Sequence, residues 1–264
     1  MTLPPSFFAR DSDRWIPSVL TRGPWDDRFQ HGGPPCSLLA GALAAFGGPD
    51  APPVSRLWFE LLRPVPIAPL TVEVAVERAG STVQRLRGTL SAAGTPHIVA
   101  RALRIHRRAL TIPAAPTPTP WPDPETLPPF EIPFFPNPVG YHRAVELRVA
   151  RGNWGTTPIR VWARPRVPLI AKERTTPLQA LVLLADAQSG MGPPLDPSEF
   201  SFVNPDLAVA LERPPEGSWF GFDVRSVAGA HGAGLSQSAV RDARGEVARC
   251  SQSLVIAPRT SAAP

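Results

Sequence analysis

Lysine is almost missing from this chain. Lys172 is the only one, so nearly all of the positive charge in the formal net of +5 is arginine. The arginines are spread among Asp and Glu in strand-like segments, with no dense basic run and few aromatics between them. That distribution excludes a nucleic-acid footprint and leaves a mild bias toward anionic ligands. Cysteine is as scarce. Cys36 and Cys250, far apart, make neither a disulfide framework nor a metal cluster, and both read as small packed side chains. No Gly-x-Ser-x-Gly elbow is present, so a serine hydrolase triad is not indicated. His97, His106 and His142 are scattered, His231 reads as a turn histidine, and His31, beside the glycine pair, could be catalytic although a turn histidine is the commoner case. No metal ligation and no cofactor follow from them. No apolar run approaches the roughly 20 residues of a membrane helix. Met1–Arg10 lacks a basic region followed by an apolar one. The expectation is a soluble, cytoplasmic protein with no nucleic-acid and no membrane partner.

Proline, in contrast, is abundant. Eleven of the 36 prolines lie between Pro113 and Pro138. Such a segment joins neither a helix nor a sheet and favours extended polyproline geometry. The reading is a linker over residues 109–140, running over the surface, between domains at 1–108 and 141–264.

Two stretches read as apolar helices. In the first, Gly32-Gly33-Pro34-Pro35 opens the run and Gly47-Gly48 closes it. The paired glycines leave backbone N–H groups open, as at a carbonyl or anion site, although a plain tight turn is the commoner case. In the second, Thr176 is an N-cap with Pro177 at the first helical position, and Gly190 is placed to end the helix. Leu178 to Ala185 is apolar almost all round, so this helix is wrapped by other structure. Asp186 breaks that pattern. A carboxylate there is disfavoured by the helix dipole and by burial, which marks a functional carboxylate unless the helix end meets water.

Strands make up the rest. Leu70 to Glu77 alternates one dry and one wet face, typical of an antiparallel sheet. Val54–Leu62, Thr82–Leu90 and His97–His106 read as its neighbours. In the second half the strands are Tyr141–Ala150, Pro158–Arg164, Asn204–Leu211, Ser218–Val227, Gly232–Arg241 and Glu246–Ile256. The order repeats: Leu57-Trp58-Phe59-Glu60-Leu61-Leu62-Arg63-Pro64 aligns with Leu207-Ala208-Val209-Ala210-Leu211-Glu212-Arg213-Pro214. The fold class is therefore α+β, with a duplicated unit of a long helix wrapped by an antiparallel sheet. Gln252 falls on the apolar face of the last strand, where it needs hydrogen-bond partners. Arg101 is taken as its counterpart in the first half, which makes the halves chemically unequal and fits one site per chain.

Several short segments carry a family resemblance: Gly32-Gly33 before Leu38-Leu39-Ala40, Arg63-Pro64, Arg160–Arg164, Leu184-Ala185-Asp186, Leu211–Pro214, Gly217-Ser218-Trp219 and Val247–Ile256. In their order and spacing the chain resembles the acyl-coenzyme A thioesterase II family and its thioesterase-like relatives, in the double-hotdog form. The resemblance implies two antiparallel sheets, each wrapped around a central helix, and hydrolysis of a fatty-acyl or related thioester of coenzyme A or an acyl-carrier protein. It implies a place in fatty acid metabolism. It also implies a water held by Asp186, by Gln252 and by the position occupied by Asn204, where the family has Thr or Ser. An Asn amide still donates to and accepts from a water. Asp186 is then the general base or the group that orients the water. Gly32 and Gly33 are the candidate oxyanion donors, and the acyl chain lies between helix and sheet. A non-catalytic acyl-thioester-binding protein stays open. So does a hotdog hydratase or dehydratase, ranked lower because the acids nearest His31 are Asp26 and Asp27, outside the helix. Monomer and homo-oligomer both stay open.

Overall fold

The repeat in the sequence becomes a near-symmetric strand pairing. Strands β3 (Val54–Leu61) and β10 (Asp206–Leu211) run antiparallel, with Leu57 opposite Val209, Trp58 opposite Ala208 and Phe59 opposite Leu207. Trp58 and Ala208 are equivalent positions of the two copies, so a local two-fold axis passes between them. The computed structural model describes residues 3–111, 113 and 120–259.

The first half contains β1 (Phe8–Asp11), β2 (Arg14–Pro17), helix α1 (Gly33–Ala45), β3, β4 (Leu70–Arg78), β5 (Val83–Ala92) and β6 (Thr95–Ile105). The second contains α2 (Tyr141–Ala144), β7 (Val145–Arg151), β8 (Ile159–Pro165), α3 (Pro177–Ala185), α4 (Gln188–Met191), β9 (Phe200–Val203), β10, β11 (Phe220–Ala228), β12 (Ala233–Asp242) and β13 (Gly245–Pro258). The sheets of the two halves pair edge to edge within the chain, as a double hotdog implies. The order β1-β2-β4-β5-β6-β3-β10-β13-β12-β11-β8-β7 is one continuous sheet, because β3 and β10 join the halves edge to edge. Such joining leaves neither central edge open to a foreign strand.

Helices α1 and α3 pack against each other and against the sheet. Leu39, Leu43, Leu181, Val182, Leu183 and Leu184 have no exposed surface. Each such side chain contributes on the order of 1.5–3 kcal/mol relative to an exposed one. Thr176 caps α3 as expected: its hydroxyl accepts from the N–H of Gln179 at 3.2 Å, and Gln179 Oε1 accepts from the N–H of Thr176 at 2.9 Å. This reciprocal box satisfies two donors that the helix leaves unpaired. The wholly buried Arg104 closes the other helix, donating to the carbonyls of Phe46 at 2.8 Å, Ala44 at 2.9 Å and Leu43. A cation suits the negative end of the helix dipole.

Two local readings are corrected and a third is refined. The second apolar helix does not run through to Gly190. It stops at Ala185 and resumes as the single turn α4, which contains Gly190. The cause is visible: Gln252 Nε2 donates to the backbone carbonyl of Asp186 at 3.0 Å, and the N–H of Gly190 turns to Ala187 instead. A side chain inserted into the i→i−4 ladder breaks it. Tyr141–Ala144 is a helical turn, not the start of a strand, and the strand begins at Val145. The described part of the proline-rich segment runs largely at the surface, as expected, but it is docked there by its aromatic side chains. The guanidinium groups of Arg160 and Arg241 each lie over the Trp121 ring, 5.2 Å from its centroid, and Trp121 and Trp162 meet edge to face at 5.4 Å. Phe130 bridges to Leu147, and Ile132 is buried. The prolines hold the backbone extended, and the aromatics between them are what dock.

Candidate active site

Asp186 is the residue that caps the C-terminus of α3, where the break described above turns its side chain toward the start of α1. It is buried at 4% exposure. Oδ1 accepts from Asn204 Nδ2 at 2.8 Å and from Gln252 Nε2 at 3.4 Å. Oδ2 lies 2.9 Å from His31 Nδ1. A buried carboxylate needs such donors, and here three side chains from three separate elements provide them. Asn204 sits between β9 and β10 and is fixed by a second bond to the carbonyl of Asp206 at 3.1 Å. Gln252 comes from β13 and is wholly buried, and its Oε1 has no partner.

The glycine pair has a steric reason. A Cβ on Gly32 would stand 2.8 and 2.9 Å from the two oxygens of Asp186, and one on Gly33 would stand 2.3 Å from the carbonyl of Leu183. Only glycine lets the start of α1 approach the end of α3 this closely. The N–H of Gly33 is aimed at His31 Nδ1, 3.1 Å away. The three polar positions and the two glycines singled out in the sequence are thus brought together at one point between the halves.

The sequence reading prefers a turn role for His31 and leaves it out of the candidate site. Its neighbours Asp26 and Asp27 are engaged elsewhere, Asp26 with Arg28 and Asp27 with Asn137 at 2.5 Å. Its acid is Asp186, from the other half. The ring lies flat on Tyr141, with centroids 3.9 Å apart and planes 5° from parallel. The Tyr141 hydroxyl donates to the carbonyl of Leu183 at 2.9 Å. Burial and the charge of Asp186 push the Tyr141 phenol and the Cys36 thiol well above their ordinary ranges, so neither ionises near neutrality. Burial pushes Cys250 up to about 12. Both cysteines are inert packing groups, as expected.

A cavity of about 40 Å³ opens beside the carboxylate. His31, Asp186 and Asn204 form its polar side, and Trp25, Phe134 and Phe202 are among its apolar walls. Gln252 is not on the wall; it holds Asp186 from behind. The interface between α1 and the sheet, where the acyl chain was expected, is filled by Leu39 and Leu43. The small cavity beside Asp186 runs against the joining segment, at Ile132, Phe134 and Phe135. The register also corrects the counterpart of Gln252. Trp58 faces Arg101 on β6 and Ala208 faces Ser251 on β13, so Gln252 corresponds to Ala102. The first half still has no equivalent amide. Among the described residues, no group of three or more His, Cys, Asp or Glu is placed to hold a metal ion. No helix among them is long and apolar enough to cross a membrane.

Comparison with known proteins agrees with this architecture. A family model described as the acyl-CoA thioesterase N-terminal domain matches residues 21–105, and one described as the C-terminal domain matches residues 112–256. No curated protein matches the chain. Among solved structures, the chain is similar to a candidate thioesterase from Novosphingobium aromaticivorans, 20% identical with a TM-score of 0.74 over 94% of this chain and 98% of that one. It is similar to a protein of unknown function with a hot dog fold from Alicyclobacillus acidocaldarius, 17% identical with a TM-score of 0.71 over 97% and 96%. An acyl-CoA thioesterase II from Mycobacterium marinum is 17% identical with a TM-score of 0.64 over 96% and 95%. These likenesses show a hot dog fold.

Proposed function

The chain belongs to the acyl-CoA thioesterase family, and we propose that it hydrolyses an acyl-CoA thioester to the free acid and coenzyme A at the Asp186 site. The observation that carries this reading is the convergence of His31, Asn204 and Gln252 on one buried carboxylate beside a small cavity. In this reading a water occupies the cavity, whose volume suffices for one or a few waters. The Asn204 carbonyl oxygen and the polar edge formed with Asp186 orient that water. The start of α1 at Gly32-Gly33, where backbone N–H groups lack helical partners, faces the developing oxyanion. Residues 1–108 and 141–264 supply opposite walls of the site. Ile132, Phe134 and Phe135, in the joining segment 109–140, cover the acyl group, and they must shift to admit more than a short chain.

A second reading is favoured by one observation, the His31–Asp186 contact, since a histidine and an acid also suit hydration or dehydration of an acyl thioester. That reaction needs an acid and a base on two adjacent carbons of the substrate. A pair 2.9 Å apart leaves no room for the substrate between them. Incubation with acyl-CoA, 2-enoyl-CoA and 3-hydroxyacyl-CoA, with products identified by mass, tests both. Free thiol and free acid support hydrolysis. Interconversion of enoyl and hydroxyacyl thioesters without thiol release overturns it.

A further inference from the structure

The carboxylate of Asp186 is already engaged by three side chains. Oδ1 receives Asn204 and Gln252, and Oδ2 faces His31. A carboxylate has about four acceptor positions, and these groups engage most of them. His31 is different. Its Nδ1 is held by the carboxylate, its ring plane is set by the stack on Tyr141, and it lines the cavity. Its Nε2 has no protein partner among the described residues.

Nδ1 lies between a donor, the N–H of Gly33 at 3.1 Å, and an acceptor, Asp186 Oδ2 at 2.9 Å. One nitrogen cannot serve both. A bond to a charged group is typically worth about 1.5–3 kcal/mol, against about 0.5–1.5 for a neutral one. A lone pair facing a carboxylate at that distance would also be repelled. The proton therefore belongs on Nδ1, directed at Asp186, and the lone pair belongs on Nε2.

We infer that His31 is the catalytic base of the thioester hydrolysis, held by Asp186 through Nδ1 and acting through Nε2; this rests on the thioesterase reading of the site. The water O–H bond breaks as its proton passes to Nε2, and the oxygen bonds to the acyl carbon while the carbonyl pair moves to oxygen. When the intermediate collapses, the C–S bond breaks and its pair stays on sulfur. The imidazolium returns the proton to the thiolate, giving acid and thiol. Asp186 is then a positioning residue that fixes the tautomer and steadies the transient imidazolium. Gln252 acts through it, and Asn204 both holds it and lines the cavity where the water sits.

Two substitutions separate this from a purely structural role for His31. Asparagine retains an amide at the place of Nδ1 and can still meet Asp186, but it has nothing at Nε2. Glutamine reaches the place of Nε2 with a group that is not a base. Both His31→Asn and His31→Gln are expected to lower kcat on acyl-CoA by about 10²–10⁴-fold with unchanged circular dichroism. An His31→Asn protein that keeps near-native kcat overturns the inference. Nitrogen-15 NMR of histidine-labelled full chain gives a readout independent of turnover. The resting His31 ring is expected to carry its proton on Nδ1 alone, and protonation of Nε2 overturns the inference. A wild-type chain that cleaves no acyl-CoA overturns the thioesterase reading instead, and the tautomer still decides the pairing.

Discussion

His31 Nδ1 and Asp186 Oδ2 lie 2.9 Å apart although one precedes the first long helix and the other ends the second. The contact exists because the start of α1 meets the end of α3 at Gly32 and Gly33, where no Cβ intervenes. It joins the halves of the chain in one site, and most of the expected outcomes below follow from it.

Asn204 is the donor closest to the carboxylate, at 2.8 Å. Asn204→Ala removes a hydrogen bond to a charged group, worth about 1.5–3 kcal/mol. If Asp186 positions the reacting groups, kcat falls about 10- to 100-fold while KM changes little. Asn204→Thr, which restores a hydroxyl, retains more activity than the alanine variant. Steady-state kinetics on one acyl-CoA check both.

Phe134 stacks on Trp25 at 5.8 Å and on Phe135 at 5.4 Å, closing the cavity from the joining segment. Phe134→Ala enlarges the space available to the acyl group. The preferred chain length shifts upward, seen as a rise in kcat/KM for longer acyl-CoAs relative to short ones. An unchanged chain-length profile would place the acyl group elsewhere.

Gly33→Ala tests the close approach of the helices. The added Cβ stands 2.3 Å from the backbone carbonyl of Leu183, which cannot swing away as a side-chain tip can. Overpacking of this kind costs about 1–3 kcal/mol. The urea midpoint falls accordingly. An unchanged midpoint would show that the helix start has room to move.

Asp242 governs part of the acid sensitivity. Burial raises its pKa, but the bidentate hydrogen bonds of Arg213 and the N–H groups of Arg244 and Glu216 outweigh burial and hold it below the ordinary carboxylate value. A depressed folded-state value means that the stabilisation is present above the unfolded value, about 3.9. It is lost as pH falls through that value toward the folded one. Unfolding free energy measured from pH 6 downward is expected to drop more steeply below about pH 4 in the native chain than in Asp242→Asn.

Much of this was legible in the sequence. Alternation located the strands and the duplication, and the repeat alignment holds to the residue at Trp58 and Ala208. Asp186 stood out because a charge in an apolar helix needs partners, and Gln252 because an amide on an apolar strand face does. His31 stood out only by its place beside the glycine pair, and its partner was not legible. Nothing near it in sequence supplies its acid, and a partner in the other half shows only once the helices are packed. The docking of the joining segment was hidden for a physical reason: its prolines exclude regular structure, but they do not stop Trp121, Phe130 and Phe134 from docking. The break at Asp186 was hidden because the amide that causes it comes from the last strand.

The central claim is that a site centred on Asp186 hydrolyses acyl-CoA. The most direct measurement is thiol release from a panel of acyl-CoAs of increasing chain length, native chain beside Asp186→Asn. The account predicts turnover by the native chain on at least one substrate and a loss of about 10²-fold or more in the variant, with the circular dichroism spectrum retained. Equal turnover by the two proteins would contradict the site, and no turnover on any substrate would contradict the activity.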